Sequence, residues 1–387
     1  MYKRQIQDGL VAVQYVLLPV LAQSLGLSYS QIGLLKACSS TAMALLEIPS
    51  GFLAERFGEK KLLIVGLIGT GTGYIGVAAS GQFITACLFF LLVGCGAAFQ
   101  HSLSSSLLVR TFEGGLRRKA LGSYNAFGDL GKLAYAGAFS ILLGVGLAWQ
   151  TVVISLAISA LAFAALVWWL LRRIKHSNSL PESENSTLTS NPDQSTWGIT
   201  SPIQFSSLSM IVFLDSMVQA GFLTFIAFIL IENGASAAHA SGGVVLTLIG
   251  GTAGKFAGGW LAARIGDRLS FMLVQGCTIA GLLGVLLLPL QLVYVLLPLV
   301  GVFVQGSSTV CYGAVADYVN DNKSSRAYAI IYTLSSSASV AGPFFLGILA
   351  DNSHIDNVLW LLMAITAVTF AFGLSFSGRQ SISRDQS

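Results

Sequence analysis

Long apolar runs separated by short polar breaks constrain this chain more than any other feature of its sequence. A helix needs about 20 mainly apolar residues to cross roughly 30 Å of hydrocarbon. Because a membrane-crossing backbone must satisfy its own hydrogen bonds, each run is predicted to be a helix. We therefore expect an all-α integral membrane protein with twelve transmembrane helices. The runs fall near residues 6–25, 31–54, 62–80, 83–108, 120–143, 150–171, 205–230, 240–262, 269–290, 292–315, 327–350 and 358–376.

The composition agrees with burial in lipid. Of the 387 residues, 54% are hydrophobic and only 10% are charged, whereas soluble domains are about 25% charged. The net charge of +4 would by itself allow a nucleic-acid partner. The basic residues, however, stand in short clusters between apolar runs, without the aromatic residues that would accompany them on a nucleic-acid surface. We expect the lipid bilayer as a partner and no nucleic acid.

A polar segment divides the chain into two halves. Residues 176–201 are rich in Ser, Asn, Thr and Glu and contain Pro181 and Pro192. Such a segment cannot bury enough apolar surface to fold, so it is predicted to be a disordered cytoplasmic linker. The expected organisation is an N-terminal six-helix bundle in residues 1–175 and a C-terminal six-helix bundle with a short tail in residues 202–387.

The distribution of lysine and arginine predicts which helix ends face the cytoplasm. Lys36, Lys132 and Lys255 lie within apolar runs, and every other lysine and arginine lies in alternate breaks, beginning with the N-terminal segment. Because cytoplasmic loops carry an excess of basic residues, both termini are predicted to be cytoplasmic. We expect a multi-pass protein of a bacterial inner (plasma) membrane.

The two halves contain a repeated sequence. The chain reads GFLAERFGEKK at residues 51–61 and GWLAARIGDRL at residues 259–269, after the second and the eighth apolar run. Gly51 thus matches Gly259, and Arg56 matches Arg264. Parallel six-helix repeats of this kind build one large class of transporters.

The first copy, Gly-x-Leu-Ala-Asp/Glu-Arg-x-Gly-x-Lys between helices 2 and 3, resembles the signature of the major facilitator superfamily. The weaker second copy strengthens the resemblance, which covers essentially the whole chain. It implies two six-helix bundles related by a pseudo-twofold axis around a central cavity. The segment from Leu25 to Leu35 and the His101 of Phe-Gln-His are similar to the fosmidomycin-resistance-like, drug-efflux-like branch of that family.

The resemblance also implies a cytoplasmic gate. In the family, the acid and the arginine of the motif form a charge lock that favours the outward-open state. Carried over, Glu55 would face the N-terminus of helix 11, where the helix dipole stabilises a carboxylate, and Arg56 would pair with Glu113. The second copy has Ala263 in place of the acid, so a lock is not expected there. An ordinary basic loop is the alternative for these residues: Gly51, Glu55, Arg56, Gly58, Lys60, Glu113, Gly259, Arg264, Gly266 and Arg268.

Four charged residues lie deep within predicted helices: Asp129, Lys132, Asp215 and Lys255. A charge at the bilayer centre costs roughly 2.5–3.5 kcal/mol on insertion scales, so each one needs a partner or a function. In the family fold, helices 5 and 8 meet between the halves, so Asp129 would pair with Lys255 across the interface. The alternative is that Asp129 and Lys132, three residues apart on one helical face, neutralise each other.

Asp215 has no charged partner nearby in the sequence. A carboxyl group buried without a countercharge holds a proton more readily than one in water, which suits a group that takes up and releases protons. The alternative is a protonated acid that is hydrogen-bonded for packing. Glu47 corresponds to Lys255 at the spacing of the repeat and would line the opposite wall of the cavity.

Further polar residues complete the candidate solute or proton pathway. Lys36 would attract an anionic solute, or would extend its ammonium group to the membrane interface without a role in transport. Gln100 and His101 in helix 4 would bind solute or relay a proton, or would serve as structural hydrogen-bonding groups. Asp8 would line the inner part of helix 1 if the native chain begins further upstream.

Glycine patterns and cysteines favour packing rather than chemistry. A glycine pattern beginning at Gly71 matches a dinucleotide-binding motif, but it lies within helix 3 with no preceding strand. Gly250, Gly254 and Gly258 form a stripe of small residues that permits close helix packing. The five cysteines are scattered, without metal-ligand spacing. We therefore expect no cofactor, no metal site and no enzymatic activity.

The leading functional hypothesis is a secondary transporter that works by alternating access. Two bundles would rock about a central site and exchange a small organic solute against protons, with efflux expected from the family resemblance. The alternatives are proton-coupled import or facilitated diffusion of a small, for example anionic, metabolite and, in another class, a non-transporting membrane sensor or scaffold. The protein is expected to act as a monomer.

Overall fold

Twelve long α-helices account for most of the described residues in the computed structural model. The structure describes residues 2–111, 114–174, 199–318 and 324–374, and side chains within these ranges except at 2–3, 48, 51, 55, 100–111, 114–126, 171–174, 316–317 and 324–329. A short 3-10 helix, Val315–Tyr318, follows α10. The helices are α1 (Tyr2–Leu25), α2 (Tyr29–Phe57), α3 (Glu59–Ala79), α4 (Phe83–Thr111), α5 (Gly114–Gly144), α6 (Trp149–Ile174), α7 (Pro202–Glu232), α8 (Ala237–Ile265), α9 (Asp267–Leu287), α10 (Leu290–Ala314), α11 (Ser324–Asn352) and α12 (Asp356–Gly373).

Helices α1–α6 form one bundle and helices α7–α12 form another. In the first, α1 packs on α5, α2 on α4, and α3 on both α4 and α6. In the second, α7 packs on α11, α8 on α10, and α9 on both α10 and α12. Because these pairs correspond one to one, the two bundles repeat one architecture, and the predicted fold is confirmed. The linker boundaries stay a prediction, since residues 175–198 lie outside the described ones.

Equivalent helix ends carry equivalent caps. Ser28 precedes α2 and Ser236 precedes α8, and each hydroxyl oxygen accepts a 3.3 Å hydrogen bond from the backbone N–H three residues further on. Gly58 and Gly266 end these helices with φ angles of 85° and 83°, a conformation that residues with a Cβ rarely adopt. Corresponding helices α2 and α8 therefore begin after the same type of cap residue and end at the same type of residue.

Several helices extend beyond the apolar runs that predict them. The largest difference is in α5, which begins at Gly114 rather than near residue 120. Hydropathy detects only the part of a helix within the hydrocarbon, whereas the hydrogen-bonded backbone continues into the polar interface. Within the described residues, nine helical segments are long and apolar enough to cross a membrane.

The glycine stripe of α8 (Gly250, Gly254, Gly258) lies where this helix crosses α10. A Cβ at Gly254 would overlap the carbonyl oxygen of Val302, and the other two glycines meet backbone carbonyls of α10 in the same way. The predicted close packing is thus confirmed. This contact fixes the rotation of α8, so that Lys255, the residue after Gly254, faces α5 instead of α10.

Candidate functional site between the two bundles

The helix ends define two faces of the molecule. The face that carries the α2–α3 and α8–α9 connections, at Gly58 and Gly266, is the basic-loop end. The opposite face, where α2 and α8 begin, is the far end. Among the described residues, a contact at the far end and an ion cluster deeper in the molecule connect the two bundles, and Ser241 of α8 adds a 3.2 Å hydrogen bond to the Val16 carbonyl of α1.

At the far end, α2 and α11 bring the two bundles together. A Cβ at Gly33 of α2 would overlap the carbonyl of Pro343 in α11, and a Cβ at Gly347 would overlap the carbonyl of Tyr29. The Tyr29 ring also packs edge-on against Phe228 of α7, with ring centroids 5.8 Å apart. The space between the bundles is therefore closed here by backbone-to-backbone contact.

Asp351 spans this contact with its carboxylate. The two carboxylate oxygens accept hydrogen bonds from the backbone N–H groups of Tyr29, at 2.7 Å, and Ser30, at 2.8 Å. Tyr29 and Ser30 are the first two residues of α2, whereas Asp351 lies near the end of α11. The acid therefore caps a helix of the opposite bundle. Free N–H groups and the helix dipole both favour a negative charge at that position. These two hydrogen bonds form the far-end clasp.

Asp129, in the middle of α5, binds lysines from both bundles. Its Oδ1 atom accepts hydrogen bonds from Lys132 Nζ at 2.9 Å and from Lys255 Nζ at 2.8 Å. Lys132 belongs to α5 and Lys255 to α8, so one carboxylate oxygen joins the bundles. The two pairings that the sequence left as alternatives occur together. These three residues form the α5–α8 ion cluster.

An ion pair on α1 lies beside this cluster. Arg4 Nε donates a 3.0 Å hydrogen bond to the Asp8 carboxylate. A Cβ at Gly128 of α5 would meet both of these side chains, and Asp8 attracts Lys132 and Lys255 electrostatically. Among the described side chains, three cations and two anions therefore lie together, so cations are in excess.

The two lysines of the cluster are more exposed than the carboxylate that they share. Their side chains are 30% and 31% exposed, against 10% for Asp129. The two ammonium groups are therefore only partly covered by the side chains that bind them. Partly exposed cations that lie close together attract anions.

Asp215 lies inside the C-terminal bundle among neutral hydrogen-bond donors. Gln219 Nε2 and Ser307 Oγ donate to its Oδ2 atom at 2.7 and 2.9 Å, and Gln275 Nε2 donates to Oδ1 at 3.0 Å. The residue is 5% exposed, and within the described part of the chain its carboxylate forms no ion pair. Its partners belong to α7, α9 and α10, so this single carboxyl group links three helices.

Lys36 is buried in the N-terminal bundle, with 5% of the residue exposed. Its Nζ atom donates hydrogen bonds to Gln14 Oε1 at 3.1 Å and to Ser40 Oγ at 3.2 Å. The ammonium group also lies 5.0 Å from the centre of the Tyr15 ring. The alternative in which Lys36 extends to the membrane interface is therefore wrong, because the side chain runs inward to α1.

The candidate gate residues lie at the basic-loop end. Arg56 is exposed, with its guanidinium 5.5 Å from the centre of the Phe57 ring. Its counterpart Arg264 lies 4.0 Å from the centre of the Trp260 ring. The other described members, exposed or half-buried around the two loops, are Gly58, Lys60, Gly259, Gly266 and Arg268. The charge lock stays a prediction, because its remaining members lie outside the described side chains: Gly51, Glu55 and Glu113.

Three further candidates do not join these groups. Glu47 is half-buried on α2 and, among the residues described, forms no ion pair. The side chains of Gln100 and His101 lie outside the described ones. The structure therefore gathers Asp8, Asp129, Lys132 and Lys255 in one place, whereas Asp215 and Lys36 lie apart, one in each bundle.

Several partners in these groups were not predicted from the sequence. Gln14 and Ser40 contact Lys36, and three uncharged residues contact Asp215. A signal for them exists, because polar residues inside an apolar run, such as Gln219 four positions after Asp215, mark one helical face. No comparable signal predicts the contact between Asp351 and Tyr29, which are 322 residues apart.

The chemistry of these groups is that of binding and releasing ions. Within the described residues, no group of three or more His, Cys, Asp and Glu side chains is arranged to hold a metal ion. Ammonium and carboxylate groups are instead of the kind that can bind charged solutes and exchange protons. Those of the α5–α8 ion cluster lie on helices of both bundles.

Comparison with curated proteins agrees with this architecture. The family model of the Major Facilitator Superfamily matches residues 8–207 and again residues 205–384. The chain is 25% identical to an uncharacterized MFS-type transporter, YfnC, of Bacillus subtilis (strain 168), over 79% of this chain and 74% of YfnC. It is 23% identical to the hexuronate transporter of the same organism, over 90% of this chain and 86% of that protein.

Solved structures share the fold at lower identity. A bacterial homologue of the human lysosomal transporter Spinster, inward-facing and occupied, is 16% identical over 97% of this chain and 94% of its own, with a TM-score of 0.73. The nucleoside transporter NupG is 15% identical over 97% of this chain and 98% of its own, also with a TM-score of 0.73. The likeness to the fosmidomycin-resistance-like branch stays a prediction. The repeated match of the family model, together with the paired six-helix bundles, places this multi-pass membrane transporter in the Major Facilitator Superfamily.

Proposed function

We propose that the protein is a secondary transporter that carries a small organic anion between the two bundles by alternating access. The observation that carries this proposal is the sharing of one Asp129 oxygen by Lys132 and Lys255. Two ammonium groups on a single carboxylate oxygen leave N–H donors available for a second anion. A carboxylate is the solute group that suits these donors best.

The same geometry couples binding to movement. A solute carboxylate that binds Lys255 competes with Asp129 for that ammonium group, and Asp129 keeps Lys132 as a partner. The bond between α5 and α8 then weakens while the solute is bound. The bound solute in this way lowers the free energy needed to separate the bundles, which favours the change between the two access states.

The relatives support an anionic solute. The hexuronate transporter of Bacillus subtilis is named for a sugar acid, which carries a carboxylate at neutral pH. At 23% identity the solute itself does not transfer to this chain. The negative charge of a sugar acid does agree with the excess of cations among the described side chains around Asp129.

Asp215 is the proposed proton-coupling residue, because it is a buried acid whose described partners are all neutral. Uptake by proton symport is the first candidate, because a proton that moves with an anion offsets its charge. Efflux by proton antiport, the expectation from the family resemblance, is the second candidate. We further propose that the protein acts as a monomer in the inner membrane, with the basic-loop end and both termini in the cytoplasm.

Transport by purified protein in liposomes tests the proposal. The solutes are radiolabelled D-glucuronate, D-galacturonate, succinate and benzoate, each compared with its uncharged amide, under an imposed pH gradient. With the acidic side outside, a symporter accumulates the anion and an antiporter expels preloaded anion. Protein-dependent, saturable flux of a carboxylate supports the proposal. Flux of the amides alone contradicts it, and a lack of flux favours a sensor or scaffold.

A further inference from the structure

Among the described side chains, Lys36 is a buried cation without an anion beside it. Its ammonium group contacts the amide oxygen of Gln14, the hydroxyl of Ser40 and the ring of Tyr15. Within the described part of the chain, it forms no ion pair. Both hydrogen bonds exceed 3.0 Å, whereas charge-assisted bonds to oxygen are usually shorter, about 2.7–2.9 Å. The ammonium group therefore retains capacity for a stronger acceptor.

Lys36 lies one turn deeper along α2 than the far-end closure. Gly33, one turn nearer the far end of α2, packs against the backbone of Pro343 in α11. The clasp between Asp351 and the first turn of α2 lies further out. Separation of α2 from α11 would remove the cover above Lys36 and leave the lysine next to the opened space.

The contacts of Lys36 belong to a polar cluster of side chains. Gln14 accepts from Lys36 through Oε1 and donates through Nε2 to Ser39 Oγ at 2.7 Å. Ser40 contributes a hydroxyl group that donates as readily as it accepts. The amide and the hydroxyl groups come from α1 and α2, so one cation and several neutral donors face the same place.

We propose that Lys36, with Gln14 and Ser40, is a carboxylate-binding site that the solute reaches from the far end when α2 and α11 separate. This inference rests on the proposed function, because it assigns a second contact to the same class of solute. The far-end site and the α5–α8 ion cluster then form successive cationic positions along one route. An anion that moves from the far-end site to the ion cluster exchanges the ammonium group of Lys36 for one in the cluster.

The test uses the carboxylate from the panel above that gives the largest wild-type flux, together with its amide. Lys36→Gln keeps hydrogen-bonding capacity but removes the charge, and Lys36→Arg keeps the charge. We expect Lys36→Gln to raise KM for the carboxylate at least about tenfold, the loss of one charge-assisted contact, with KM for the amide unchanged. Lys36→Arg retains part of the affinity. Lys61→Gln, on an exposed side chain at the basic-loop end, is the matched control and leaves KM unchanged.

The outcomes separate this inference from the proposed function. Equal KM values for the carboxylate in Lys36→Gln and the wild type overturn the Lys36 site but leave anion transport intact. An equal rise in KM for the acid and the amide also overturns it, because the lysine then acts on packing. A wild type that moves no carboxylate overturns both proposals.

Discussion

Lys255 of α8 donates a 2.8 Å hydrogen bond to Asp129 of α5, so the ion pair lies between the bundles and not within either one. Breaking a buried ion pair is costly chiefly because it leaves one charge without a partner. Asp129 avoids that penalty, since Lys132 on its own helix holds the same oxygen at 2.9 Å. The interface therefore carries a specific bond that can open without leaving the carboxylate unpaired.

Asp129→Asn tests the role of this ion cluster. The variant removes the charge that both lysines share and leaves two cations close together. We expect the initial rate of anion uptake in proteoliposomes to fall at least about tenfold, as the loss of a charge-assisted hydrogen bond implies. Glu232→Gln, at an exposed position at the end of α7, is the control. A wild-type rate in Asp129→Asn would remove the cluster from the mechanism.

Asp215→Asn separates proton coupling from solute movement. Asparagine has the same shape and keeps one acceptor oxygen for the donors around it, but it cannot release a proton. We expect accumulation driven by a pH gradient to disappear, while exchange of labelled for unlabelled anion across the membrane continues. The two assays run on the same proteoliposomes, so each serves as a control for the other.

The repeat supplies the competing interpretation of Asp215. Gln7 occupies the equivalent position in the N-terminal bundle, where its amide donates a 2.6 Å hydrogen bond to Thr70 of α3. In the N-terminal bundle, a neutral residue thus links α1 to α3, the counterparts of α7 and α9, and it has no proton to exchange. If Asp215→Asn still accumulates anion against its gradient, the acid is a packing link of the same kind.

Asp351→Ala removes the far-end clasp. A helix cap contributes about 0.5–2 kcal/mol, so losing it should favour separation of α2 from α11 several-fold. Spin labels at Val145 and Leu287, exposed at the far end of different bundles, report this as a longer inter-label distance, in a background without the five cysteines. Asp356→Ala, on α12 within the C-terminal bundle, should leave the distances unchanged. Identical distance distributions in Asp351→Ala and the parent protein would mean that the clasp does not hold the bundles together.

Gly254→Ala tests the contact that orients Lys255. The added methyl group would meet the carbonyl oxygen of Val302, so α8 and α10 must move apart, at a cost of about 1–3 kcal/mol. We expect a lower Tm in detergent. Gly242→Ala lies on the same helix with open space around its Cβ and should leave Tm equal or higher, because alanine favours a helix. Similar Tm values for the two variants would show that the close contact contributes little.

Much of the architecture follows from patterns that are local in sequence. The length of each apolar run predicts a membrane-crossing helix, and the repeat at Gly51 and Gly259 predicts two equivalent bundles. Gly58 and Gly266 also mark helix ends through the backbone conformation they allow. The mid-helix charges could be identified as candidates because a charge in an apolar run is costly wherever the helix is placed.

The sequence by itself determined that this chain forms twelve membrane helices in two related bundles, and that Asp129, Lys132, Asp215 and Lys255 are costly enough to need partners. Only the tertiary structure decided what those partners are. Lys255 meets Asp129 across 126 residues, and Asp351 meets Tyr29 across 322, because helix rotation and bundle contact select which side chains come together. Hydropathy and helical periodicity fix the environment of a residue along one helix, whereas the position of a second helix beside it depends on packing between distant segments.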